Sequence, residues 1–168
     1  MRKHTKKLMS NKPTNIIDRA DEYRELWRTN RQQGFRFAKL DYEDFNYFLK
    51  KSDLIMCKRN SFRKNSEFYV LTYGYDNSGD ILAAACVIEN PEPRKLFIKL
   101  FEVSPSFYRQ GLGTDLFTCI KDFNHDRWYY CTYELESLDD ESTEFWKKLG
   151  FKEFVNDEGE TLMSKTTV

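Results

Sequence analysis

Histidine is nearly absent from this chain: His4 and His125 are the two in 168 residues. That scarcity argues against Ser–His and Cys–His hydrolases, which need an imidazole base beside the nucleophile. Cysteine is sparse as well. Cys57, Cys86, Cys119 and Cys131 form no C-x-x-C pair. No zinc-site spacing can be assembled from so few histidines and cysteines, so no metal is expected. The thiols read as reduced and mostly buried. Long apolar runs are missing too; none reaches the roughly 18 residues that a membrane helix needs. The basic stretch Met1–Pro13 is followed by no apolar core. No membrane association and no secretory leader are therefore expected, and the cytoplasm is the default compartment.

Apolar residues make up 40% of the chain and aromatics 16%. That is too rich for a disordered polymer, and the length suits one domain with its own core. The net charge is zero but unevenly spread. Residues 1–64 hold 17 Lys and Arg against 8 Asp and Glu, a balance of +9, and residues 65–168 carry −9. Such asymmetry can mark contact with a nucleic acid. The plainer alternative is a solvated basic extension on an acidic domain.

Residues 1–14 read as a basic, polar tail. From residue 15 to 33, Ile16, Ala20, Tyr23 and Trp27 share one helical face, and Gly34 ends the helix. Residues 35–40 alternate with period two and predict a strand. Asp41 can cap a helix with Tyr42, Phe45, Phe48 and Leu49 on its apolar face. Residues 52–66 are ambiguous. Strands are then expected over 68–75, 81–88 and 95–103, with a turn at 77–80. A helix over 111–123, a strand over 127–134, a helix over 139–149 and strands over 151–155 and 161–168 complete the order. Asp139, Asp140 and Glu141 suit the start of the last helix, Lys147 and Lys148 its end, and Gly150 its C′ position. The fold class is α+β or α/β with one mixed sheet. Residues 1–34 form an extension and 35–168 the domain proper.

The most informative stretch is Val103-Ser-Pro-Ser-Phe-Tyr-Arg-Gln-Gly-Leu-Gly-Thr114, which joins a strand to a helix through two glycines. A helix N-terminus carries unpaired N–H groups and partial positive charge, so a pyrophosphate can dock there if no Cβ blocks the backbone. Gly111 and Gly113 remove such atoms, and Arg109 and Gln110 can add side-chain contacts. A P-loop is excluded because no Lys precedes Thr114, and a Rossmann fingerprint because Leu116 stands at its third glycine. By itself the pair of glycines is also compatible with a tight turn and nothing more.

Phe101-Glu-Val103 followed by Tyr108-Arg-Gln-Gly-Leu-Gly113 resembles motif A of GNAT acetyltransferases: L-x-V, then Q/R-x-x-G-x-G/A. Phe145-Trp-Lys-Lys-Leu-Gly-Phe151 resembles that family's F-Y-x-x-x-G-F, one helix and one strand later. Asp139 falls where the family often has an Asn. The sequence departs from the pattern at Tyr108, in place of Q/R, and at Trp146, in place of Tyr. The resemblance covers about residues 35–168. It implies a mostly antiparallel central sheet flanked by helices, and acetyl-CoA as co-substrate with no metal. It also implies transfer of an acetyl group to a primary amine, small or on a protein. Phe101, Val103, Tyr108, Arg109, Gln110, Gly111, Leu112, Gly113, Thr114, Asp139 and Trp146 are the residues implied to bind acetyl-CoA. A homodimer is compatible with the resemblance.

The reaction needs an amine without its proton, a polarised thioester carbonyl and a protonated leaving thiolate. The resemblance places a base at Glu134, at the end of a strand, where a solvated acid is the alternative. Glu102, unusual inside an apolar strand, and Glu136 are weaker candidates. Indole cannot give up a proton at neutral pH. Either Trp146 only shapes the pocket, or Tyr133, Tyr108 or Tyr130 stands in as the acid unless each is a packing aromatic, or solvent protonates the thiolate. Acidic residues from Glu134 to Glu144 would attract a cationic acceptor. Two other functions stay open: a non-catalytic acyl-CoA-binding or interaction module, motivated by Trp146, and acetylation of aminoacyl-tRNA, motivated by the basic first third.

Overall fold

Alternating apolar residues and strong β-formers give seven strands in the computed structural model, which describes residues 35–63, 66–73, 80–90 and 92–167. The tail and helix expected over residues 1–34, and most of the turn at 77–80, lie outside the described residues. The strands are β1 (Phe35–Leu40), β2 (Glu67–Tyr73), β3 (Asp80–Glu89), β4 (Lys95–Val103), β5 (Cys131–Leu135), β6 (Lys152–Val155) and β7 (Thr161–Thr167). They form one sheet in the order β1-β2-β3-β4-β5-β7-β6. Every adjacent pair is antiparallel except β4–β5. A parallel pair needs a crossover connection, supplied by the helix between them.

The helices are α1 (Tyr42–Leu49), α2 (Ile55–Arg59), α3 (Leu112–Arg127) and α4 (Asp140–Lys148). One face of the sheet gathers Tyr69, Val87, Leu96, Ile98 and Tyr133 with Leu112, Leu116 and Ile120 of α3 and Trp146 of α4. The other gathers Phe68, Val70, Ala84, Cys86 and Leu100 with Phe45 and Leu49 of α1 and Cys57 of α2. These two faces are called here the α3 face and the α1 face. No described helix is long and apolar enough to cross a membrane. Among the described residues, no three His, Cys, Asp or Glu side chains stand together as a metal site would require.

Local chemistry explains most boundaries. Asp41 and Asp139 cap α1 and α4, accepting from the N–H groups of Asp44 at 2.8 Å and Ser142 at 2.7 Å. Gly150, at φ 92°, ends α4, with its N–H on the Lys147 carbonyl and that of Phe151 on the Trp146 carbonyl. Two boundaries differ from the sequence reading by more than two residues. Helix α3 continues past Phe123 to Arg127, where Asn124 turns inward and donates its amide NH2 to the Ile120 carbonyl at 2.9 Å. The strand expected from residue 127 therefore begins only at Cys131, where pairing to Thr167 starts. The ambiguous stretch 52–66 contains α2.

Two bulges tune the sheet. Leu71 pairs with Ala83 but Thr72 with Ile81, so Leu82 is an extra residue in β3. In β4, Ile98 pairs with Val87 but Leu100 with Cys86, so Lys99 is extra. An extra residue exchanges the faces to which the rest of the strand points. Leu96 and Ile98 lie on the α3 face, whereas Leu100 lies on the α1 face.

Candidate active site

Strand β4 is a fork. Its first half pairs with β5 from Lys95↔Thr132 to Ile98↔Leu135, and there the ladder ends. Leu100–Val103 continue on β3 alone, while β5 stops at Leu135 and the chain leaves through Glu136 toward α4. Beyond Ile98 the edge of β4 that faced β5 thus has no strand to meet. The open edge leads through the 3-10 turn Pro105–Phe107 to the start of α3.

That start has no side-chain cap. Gly111 takes φ 86°, a left-handed conformation that costs a non-glycine residue about 1–2 kcal/mol. The first intrahelical bond runs from Asp115 N–H to the Gly111 carbonyl at 3.0 Å. The N–H groups of Leu112, Gly113 and Thr114 precede the ladder, so the helix itself offers them no carbonyl. Gly113 serves a purpose the sequence reading missed. A Cβ there would meet Phe145 Cζ at 3.0 Å, so its smallness seats Phe145 of α4 against the first turn of α3. Arg109 also adopts positive φ, at 60°, and its exposed guanidinium stands 3.7 Å from Glu141 at the start of α4.

The wall on the α3 face is aromatic. Trp146 is 3% exposed and packs edge-on against Phe101, Phe117, Phe145 and Phe151, with centroids 4.9–5.8 Å apart. The family's tyrosine position therefore carries a packing residue here. Tyr133 is fully buried between β5 and α3, against Phe117, and burial pushes its pKa far up. The structure does not bring Tyr133 to the fork. Tyr130 lies at the other end of β5, under the Arg94 guanidinium. Of the three substitute tyrosines, only Tyr108 stands at the open end, mostly exposed. Shielding by its surroundings raises its pKa, and the Glu102, Glu141 and Asp53 carboxylates raise it further.

The acids separate by function. Glu134, 8% exposed, lies one pair below the fork on the α1 face, and Lys95 Nζ reaches its Oε1 at 2.7 Å. That partner raises the pKa of Lys95. Glu102 is the puzzle of the sequence solved by the bulge. Beyond Lys99 it points to the α1 face, where its two carboxylate oxygens accept from Met56 N–H at 3.0 Å and Cys57 N–H at 2.8 Å. It caps α2 from 45 residues away, because Leu54 at the cap position has no polar side chain. Glu136 is exposed beyond β5, and Asp139 caps α4. Asp53, between α1 and α2, was missed altogether; its Oδ2 accepts from Ser104 Oγ at 2.8 Å.

The model of the Acetyltransferase (GNAT) family matches residues 20–151. No curated protein sequence matches the chain. Among solved structures, a variant of the AtaT toxin bound to the C-terminus of the antitoxin AtaR and acetyl-CoA is similar. It has TM-score 0.56 and 19% identity over 80% of this chain and 94% of that one. Ard1 from Thermoplasma volcanium is similar at TM-score 0.55 and 14% identity, over 80% and 97%. Nourseothricin acetyltransferase is similar at TM-score 0.54 and 14% identity, over 80% and 98%. At such identities the likeness is one of fold.

Proposed function

The chain belongs to the GNAT acetyltransferase family, and we propose that it transfers an acetyl group from acetyl-CoA to a primary amine. The observation that carries this reading is the fork: an open β4 edge that runs directly into an uncapped helix start. A pantetheine arm needs backbone partners along an extended edge, and a pyrophosphate needs unpaired N–H groups at a helix N-terminus. Both lie here in sequence along one path, so the residues fit the substrate. Leu112, Gly113 and Thr114 N–H, with Arg109 and Gln110, would take the phosphates. The backbone from Phe101 to Val103 would take the pantetheine and polarise the thioester carbonyl. That AtaT is solved with acetyl-CoA supports this reading.

Among the acid–base groups, Glu134 is engaged: Lys95 Nζ sits on its Oε1, so that oxygen is not open to an incoming amine. Tyr108, exposed at the open end, would protonate the departing thiolate. Trp146 holds the wall by packing. A second reading has its own motive, because Trp146 leaves no hydroxyl where the family has tyrosine: an acyl-CoA-binding module without turnover. Calorimetric titration with acetyl-CoA, followed by thiol release against simple primary amines, separates the two. Binding with release is the expected result. Binding without release would favour the module, and no binding would defeat both.

A further inference from the structure

Asp53 is held as a reactive group is held. Ser104 is fully buried at the end of β4. Its N–H donates to the carbonyl of the bulge residue Leu82 at 2.8 Å, and its Oγ donates to Asp53 Oδ2 at 2.8 Å. The hydroxyl is fixed by the sheet and the carboxylate by the hydroxyl. The other oxygen, Oδ1, is shielded from solvent and has no hydrogen-bond partner among the described residues. Nor does any cation there pair with Asp53, in contrast to Glu134 with its Lys95. A shielded carboxylate oxygen without a donor is costly, and it is kept where a ligand supplies the donor.

The surroundings say which donor. Phe101, Phe145 and Trp146 close the fork on the α3 face, so an acceptor reaches it from the α1 face, where Asp53 stands. Glu102 on the same side has both oxygens engaged by α2. Ile55 and Met56, which open α2 just beyond Leu54, are 50% and 39% exposed. An anion beside apolar side chains suits an ammonium on an apolar stem.

We infer that Asp53 anchors the acceptor: the carboxylate turns its unpartnered Oδ1 out to the ammonium of an alkylamine beside the end of β4 and takes one of its protons. This rests on the acetyl-transfer reading above. The nitrogen's freed electron pair forms the C–N bond at the thioester carbonyl carbon. The C–S bond breaks with its electron pair on sulfur. Tyr108 gives its proton to sulfur and regains one from the nitrogen, and Asp53 returns the first proton to solvent. An ammonium and a thioester give an amide, a thiol and one proton.

The test compares two nucleophiles in the presence of acetyl-CoA: n-butylamine, cationic at neutral pH, and hydroxylamine, which is uncharged there. Asp53→Asn is expected to lower kcat/KM for butylamine by about 100-fold, the low end for losing a positioned base. The rate with hydroxylamine should stay within about threefold, since it needs neither an anion nor proton removal before attack. Acetyl-CoA affinity by calorimetry should be unchanged. Butylammonium binding to the CoA-loaded protein should weaken about tenfold, as for a lost charge-assisted hydrogen bond. Ser104→Ala, which frees Oδ2 but keeps the charge, should show the same selectivity at smaller size, and it decides the matter if Asp53→Asn fails to fold. Equal losses with both nucleophiles, or none with butylamine, would overturn the assignment while leaving acetyl transfer standing. A wild type that binds acetyl-CoA and acetylates neither nucleophile overturns acetyl transfer and this assignment together.

Discussion

The two faces of the sheet at the open half of β4 are built from opposite materials. On the α3 face, Phe101, Phe117, Phe145, Trp146 and Phe151 interlock, and no ionisable group is needed to hold them. On the α1 face, Glu102 organises α2 and Ser104 organises Asp53. The first face is closed by packing and the second is ordered by hydrogen bonds to anions. One extra residue, Lys99, separates them: without it Glu102 would point into the aromatic wall. A carboxylate there would have to be neutralised or unfold the strand.

Breaking the aromatic wall should have the largest effect. Trp146→Ala removes a nearly buried indole that touches four other rings, and should cost about 4 kcal/mol of stability in denaturant unfolding. Breaking the anionic side should cost less. Glu102→Gln leaves one of the two α2 N–H groups facing an amide NH2, and should cost about 2 kcal/mol. Its further mark is earlier hydrogen exchange at Met56 and Cys57, with α3 unaffected; loss across the whole molecule would mean that the two faces are not independent. At the turn between them, Gly111→Ala places a Cβ at φ 86° and should cost about 1 kcal/mol and weaken acetyl-CoA binding, read by calorimetry. The smallest change is expected from Arg109→Gly. It relieves a non-glycine residue at φ 60°, so the melting temperature should rise slightly. Acetyl-CoA affinity should fall several-fold with the lost guanidinium, the fall shrinking as salt is added.

Much of the fold was legible in the chain. The alternation in Phe35–Leu40, the caps at Asp41 and Asp139 and the stop at Gly150 are local signals, written within a few residues of where they act. The turn from Val103 to Thr114 was legible for the same reason. Its neighbours were read less well. Gly113 is small for the sake of Phe145, some thirty positions on, and that contact leaves no trace in the turn itself. Tyr133 looked like a spare acid because a tyrosine near a strand end is chemically able, but the alternation of β5 sends it under α3. Asp53 looked like one more polar residue in an ambiguous stretch.

The sequence by itself determined the order of helices and strands, the caps and the glycine-bearing turn, because backbone preference and periodicity act between near neighbours. Only the tertiary structure decided which acids are fully engaged and which keeps one oxygen without a donor. A strand's facing depends on one bulge opposite β3. The partners of Glu134, Glu102 and Asp53 come from other elements, brought near by sheet register and not by spacing along the chain.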